Sequence, residues 1–75
     1  MILFLFKEVF PPFLNGRWRS YLAQSNAPGT PPKTVEVSPF CYTEKEAISL
    51  GQGFARHWVG HDLEPRLVVS SIYNQ

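Results

Sequence analysis

The 75-residue chain predicts an α+β fold, a small antiparallel sheet with one amphipathic helix packed on a face. Three observations carry that reading. Residues 43–60, TEKEAISLGQGFARHWVG, repeat apolar residues at helical spacing between two end signals. The stretches 2–10, 17–24 and 34–42 are rich in aromatic and β-branched residues and are bounded by Pro, Gly and Asn. The length allows one domain, 1–75, with one modest core, and a domain of this size buries only about 60% of its unfolded surface. Residues 66–73 are a candidate fourth strand.

In the first stretch Ile2, Phe4 and Phe6 share one face, and Leu3 and Leu5 the other. Both faces are apolar, so this strand is central, covered on both sides, or part of an interface. Pro11 and Pro12 end it, since neither donates to a ladder. Asn15-Gly16 then signals a hairpin turn. From Arg17 to Gln24, Trp18, Ser20 and Leu22 share a face, while Arg19 and Tyr21 turn toward solvent. Residues 25–33 form a proline-rich loop. In the third strand Val35 and Val37 face inward. A bulge at Ser38-Pro39 resets the register and brings Phe40 onto the Val face, at the core.

Thr43 caps the helix and Glu46, three residues on, completes a capping box. Ala47, Ile48, Gly51, Phe54, Ala55 and Trp58 form the apolar stripe, opposite Lys45, Ser49, Gln52 and Arg56. Phe54 and Trp58 are expected to pack on Trp18, Val35, Val37 or Phe40. Gly51 costs roughly 1 kcal/mol against alanine, and close approach to the sheet is the expected return. Gly60 tolerates a left-handed C-terminal conformation. After the connector 61–65, RLVVSSIY has strand-forming content.

The pattern F-x-x-T-x-x-E-A-I-x-x-G-x-x-x-A-R-x-W is met by Phe40, Thr43, Glu46, Ala47, Ile48, Gly51, Ala55, Arg56 and Trp58. It resembles the helix signature of a group of small uncharacterised bacterial ββα-type domains, and it covers about a quarter of the chain. Gly16-Arg17-Trp18 is similar to the second strand of that group. The Thr-x-x-Glu-Ala opening also resembles HicB-like antitoxins. The resemblance implies a hairpin before one helix and no established activity. The C-terminal RLVVSSIY departs from the group's pattern.

Charge and cysteine usage narrow the function classes. The formal net charge of +1 argues against strong nucleic-acid binding. A single cysteine, Cys41, rules out an internal disulfide framework and points to a reducing compartment, the cytoplasm. The opening MILFLFKEVF has no basic region ahead of its apolar run, which breaks at Lys7. It reads as a strand, not a signal peptide, and is too short to span a bilayer.

Three constellations deserve weighing for chemistry. His57 and His61, with Asp62 or Cys41, have a spacing that places two imidazoles on one helix face. Gly60 ends the helix between them, and surface histidines at a helix C-terminus are the simpler reading. Cys41 with His57 suggests a nucleophile and base, but a strand cysteine beside Phe40 and Tyr42 is more often a small core hydrophobe. Trp18, Tyr21 and Phe13 beside Arg17 and Arg19 suggest a stacking surface for single-stranded nucleic acid, and serve equally as sheet core and polar outer face. No metal or cofactor site is expected, and the carboxylates show no acid–base pairing.

The expectation is therefore a non-enzymatic interaction module, self-associating or binding a protein partner, with a nucleic-acid-binding or antitoxin-like regulator as the alternative. One helix covers one face of the sheet, so the other face or a free edge is polar, blunted or paired. Leu3, Leu5, Arg17, Arg19 and Tyr21 are the candidate interaction residues.

Overall fold

The computed structural model describes residues 1–10, 13–25 and 27–71. The expected strand end at Pro11-Pro12, and Ile72 and Tyr73 of the candidate fourth strand, lie outside them. The elements run β1 (Ile2–Phe10), β2 (Phe13–Gln24), β3 (Lys33–Val37), α1 (Glu44–Val59) and β4 (Pro65–Ser71). They form a four-stranded sheet in the order β3-β2-β1-β4, with α1 on one face. The fold is α+β, and the fourth strand is present.

β1 pairs antiparallel with β2, and β2 with β3, while β4 runs parallel to β1. A parallel partner needs a crossover connection, and α1 supplies it. It leaves the β3 side of the sheet and returns the chain beside β1, so β1 becomes an interior strand. The helix covers the face of Leu3 and Leu5 and leaves the face of Phe4 and Phe6 open.

The β1–β2 ladder runs on to the Phe10–Phe13 pair. Asn15 and Gly16 therefore lie inside β2, at a register shift opposite the Glu8–Phe10 stretch, and not at the hairpin end. A Cβ on Gly16 would come within 2.9 Å of the Glu8 carbonyl oxygen and the Lys7 side chain. Glycine is there for a close backbone approach at an irregular step, which an Asn-Gly turn signal does not distinguish.

β3 is shorter than its sequence suggests. Between the Ala23–Thr34 and Leu22–Glu36 pairs it carries one extra residue, Val35, which packs against the Leu3–Leu22–Ala55 cluster. After Val37 the chain stays on β2: the Ser38 amide donates to the Ser20 carbonyl at 2.9 Å, and Cys41 bridges Trp18. A second extra residue falls between Val37 and Cys41, at the expected Ser38-Pro39 position. Val37 and Phe40 do share a face, but it is the one away from the helix, since Val37 pairs with Tyr21 and Phe40 lies under Arg19. The bulge at Val35 had already switched the strand's facing. The expectation that Val37 and Phe40 are core is corrected accordingly.

Thr43 caps α1, its hydroxyl oxygen accepting from the Glu46 amide at 3.2 Å, and Gly60 closes it at φ 79° with its N–H bonded to the Arg56 carbonyl. The buried stripe is Ala47, Gly51 and Ala55, all small, so the helix backbone lies close on the sheet. A Cβ on Gly51 would sit 2.8 Å from Leu3 Cδ1 and 2.9 Å from Ser20 Cβ and Oγ. Ser20 hydroxyl donates to the Ala47 carbonyl, tying β2 to the first turns of α1. Phe54 and Val59 flank the stripe. Trp58 does not pack in as expected: it is 44% exposed and its indole N–H donates to Glu36 at 3.2 Å. The small-residue stripe takes the central contact, leaving the large Trp58 at the β3 rim.

Two buried clusters result. Leu3, Leu22 and Ala55 gather Met1, Val35, Phe54, Val59 and Leu63 around them, and Leu5, Cys41 and Ala47 gather Trp18 and Ile48. Each fully buried leucine contributes about 1.5–3 kcal/mol of transfer free energy. Gln52, expected to be solvent-facing, instead pairs both amide groups with the Leu63 backbone and so anchors the connector into β4. Among the described residues no helix is long and apolar enough to cross a membrane.

Candidate docking face

Strand alternation sends β1 residues Phe4, Phe6 and Glu8 away from the helix. Their cross-strand partners on β2 are Tyr21, Arg19 and Arg17, and on β4 Phe4 and Phe6 neighbour Arg66 and Val68. No element lies over this side among the described residues, and the molecule is only 15 Å deep along its shortest axis. The sheet therefore has one face that is core and one that is open.

The open face is organised. The Tyr21 ring meets Phe6 edge-on at 4.8 Å and 79°, and Phe6 tilts against Phe4 at 6.1 Å. Tyr21 hydroxyl donates to Glu8 Oε1 at 3.2 Å, and Glu8 is only 9% exposed. Arg19 lays its guanidinium over the Phe40 ring at 3.6 Å, and Arg17 over Tyr42 at 4.6 Å. Cation–π contacts of this kind contribute about 0.5–2 kcal/mol each. A depression of about 370 Å³ runs between Phe4, Phe6, Glu8, Tyr21, Ala23, Pro32 and Thr34.

The expected interaction residues divide. Arg17, Arg19 and Tyr21 lie together on the open face, whereas Leu3 and Leu5 are buried under the helix. Odd-numbered β1 positions face α1, and that parity also separates Trp18 from Tyr21. Trp18 packs with the Leu5–Cys41–Ala47 cluster, with Lys7 over its ring at 5.5 Å. The Phe13 side chain lies outside the described ones. Sequence reasoning passed over Glu8, Phe40 and Arg66; for Glu8 the shared parity with Phe4 and Phe6 was the available signal.

The remaining constellations are dispersed. Cys41 is buried beside Ala47, ten residues and so about 15 Å of helix from His57. Burial, aided by the Glu46 charge, pushes its thiol up from the ordinary value, against the weaker pull of Arg19 and Ser38. Gly60 separates His57 from His61, and Asp62 pairs with Arg56 at 2.8 Å. Among the described residues no three potential metal ligands converge. A second depression, about 420 Å³, lies on the outer side of α1 between Thr43, Lys45, Glu46, Ser49 and Leu50, and no residue lining it is buried.

Comparison with protein-family models, curated proteins and solved structures finds no match to this chain.

Proposed function

We propose that this protein is a non-enzymatic interaction module of the cytoplasm that works without a cofactor. It docks another polypeptide, a second copy of itself included, on the open face of its sheet. One observation carries the reading: Phe4, Phe6, Tyr21 and Phe40 are gathered with Arg17 and Arg19 on a face that no element covers among the described residues. Aromatic residues and arginine are the types enriched in protein interfaces. The scatter of Cys41, His57 and His61 supports the non-enzymatic part, and a buried free thiol suits a reducing compartment. The likeness of the 40–58 segment to bacterial ββα-type domains without established activity fits such a module.

Affinity capture with three baits tests the proposal: the parent, Phe6→Lys on the open face, and Leu67→Lys on the helix side. Leu67 is 58% exposed, so that control leaves the core intact. The expected result is a bound polypeptide retained by the parent and Leu67→Lys and lost by Phe6→Lys. Retention by Phe6→Lys moves the docking surface elsewhere.

A nucleic-acid-binding or antitoxin-like regulator is the second reading, favoured by three arginines beside aromatic rings on one face. It is the weaker. Arg17 and Arg19 are stacked on Tyr42 and Phe40, and the buried carboxylate of Glu8 lies among the rings. Salt-dependent retention of the parent on a single-stranded DNA column, lost on Arg17→Ala with Arg19→Ala, is the result that favours it.

A further inference from the structure

Two polar groups of the open face are underpaired among the described side chains: Arg19, whose buried Nε has no hydrogen-bond partner, and Glu8. Glu8 is only 9% exposed as a residue, and among the described side chains its one hydrogen-bond partner is Tyr21 hydroxyl, which donates to Oε1 at 3.2 Å. An ionised carboxylate has about four acceptor sites. Among the described side chains Glu8 has no ion-pair partner, and a carboxylate at a largely buried residue gains most from one. The cations nearest in register are held elsewhere. Arg17, directly across the β1–β2 pair, is turned onto Tyr42, and Arg19 onto Phe40. Lys7 lies on the opposite face over Trp18. Among the described residues Glu8 is the charged one lining the 370 Å³ depression, and its walls include the rings of Phe4, Phe6 and Tyr21. A carboxylate in line with Phe4 and Phe6 on β1 suits a planar cation, which stacks on rings and pairs with carboxylate through two parallel N–H bonds.

The same face carries such a cation. Arg66 is exposed on β4 beside Phe4, and among the described residues it makes no hydrogen bond or ion pair. Within one chain it cannot serve Glu8. The two lie four residues apart along the strands and one strand across, about 13 Å by about 4.8 Å. A two-fold axis parallel to the sheet, above its open face and perpendicular to the strands at Phe6, exchanges the level of Phe4 and Arg66 with the level of Glu8. It leaves one strand spacing to bridge, which an arginine side chain spans. Phe6 then meets its own copy at the axis. The geometry points to a second copy of this chain as the occupant of the open face, packed face to face, with Arg66 of each copy inserted beside Glu8 of the other. This rests on the proposed docking role of the face. Isologous contacts of this kind close a dimer and give two identical ion pairs.

Sedimentation equilibrium across a wide concentration range tests it, with far-UV circular dichroism to establish that each variant is folded. The parent is expected to show a reversible monomer–dimer equilibrium. Arg66→Glu, at an exposed side chain, is expected to weaken dimerisation by a factor of about 30 or more. Joining Glu8→Arg to Arg66→Glu in one chain restores both pairs with reversed sign and is expected to recover most of the loss. If Glu8→Arg does not fold, Arg66→Glu against Arg66→Lys decides, because lysine keeps the charge and loses the paired geometry. A parent that is monomeric throughout overturns the second copy as occupant, and capture of a different polypeptide then judges the docking reading separately. A dimer broken by Phe6→Lys but unchanged by Arg66→Glu leaves the open face as the docking surface and overturns the Arg66–Glu8 pairing. A dimer that survives both variants lies on another surface. A monomer that binds an oligo-dT strand through Arg17 and Arg19 replaces the second copy with nucleic acid.

Discussion

Gly51 gives the sharpest test of how the helix meets the sheet. A Cβ placed there lies 2.8 Å from Leu3 Cδ1 and 2.9 Å from both Ser20 Cβ and Oγ. None of these neighbours yields easily. Leu3 is fully buried, and Ser20 is fixed by its hydroxyl bond to Ala47 and its amide bond to Ser38 at 2.8 Å. Overpacking of this kind costs about 1–3 kcal/mol, while alanine regains about 1 kcal/mol of helix propensity. Gly51→Ala should therefore lose about 0–2 kcal/mol. Gly51→Leu should lose about 2–3 kcal/mol, the upper part of the overpacking range. Gly53, two residues on, has nothing within 4 Å of its Cβ position. Gly53→Ala should thus gain about 0.5–1 kcal/mol. Urea denaturation followed by circular dichroism reads the series, with a slope of about 1 kcal/mol per molar for a domain this small. The midpoint should fall by about 2–3 M for Gly51→Leu and rise by up to about 1 M for Gly53→Ala. If Gly51→Leu keeps the parent midpoint, or Gly51→Ala rises as far as Gly53→Ala, the close approach at Gly51 is wrong.

Other expectations follow from burial and bonding. Leu3→Ala should cost about 2–5 kcal/mol in the same assay, whereas Leu67→Ala, at an exposed site, should stay within about 0.5 kcal/mol of the parent. Thr43→Ala removes the oxygen that accepts from the Glu46 amide and should lower the thermal midpoint by the equivalent of about 1 kcal/mol. Because burial raises the Cys41 thiol, the folded state holds that proton more tightly than the unfolded one. Its contribution is complete below the ordinary thiol range and is lost as pH rises through the folded value. The parent should thus lose stability above about pH 8.5 more steeply than Cys41→Ala, as read from urea midpoints at neutral and alkaline pH. A chelator should leave the melting temperature of the parent unchanged, and a fall reversed by zinc would restore the His57–His61 site to consideration.

The helix was the most legible element because its signals are local. Thr43, Gly60 and the small stripe Ala47, Gly51, Ala55 act within one segment, and Gly51 lies at the close approach its position implied. The strand content of 66–71 was also legible, but its parallel pairing with β1 depends on where the helix returns the chain. Facing was readable where alternation is unbroken, as along β1. The bulge at Val35 leaves no mark in the sequence, so Val37 and Phe40 were placed on the wrong side of the sheet. The same parity, followed strictly, would have kept Leu3 and Leu5 out of the candidate surface and brought Glu8 in. Arg66 required knowledge of β4's partner and register, which no single segment encodes.

The central claim is that the face bearing Phe4, Phe6 and Tyr21 is where this chain meets another. An isotope-filtered nuclear Overhauser experiment on a mixture of labelled and unlabelled protein addresses it directly. Face-to-face packing predicts intermolecular contacts from the rings of Phe4 and Phe6 and from the Arg66 side chain. Intermolecular contacts arising instead from Leu50 and Leu67, on the helix side, would contradict it, as would none at concentrations where sedimentation gives a dimer mass.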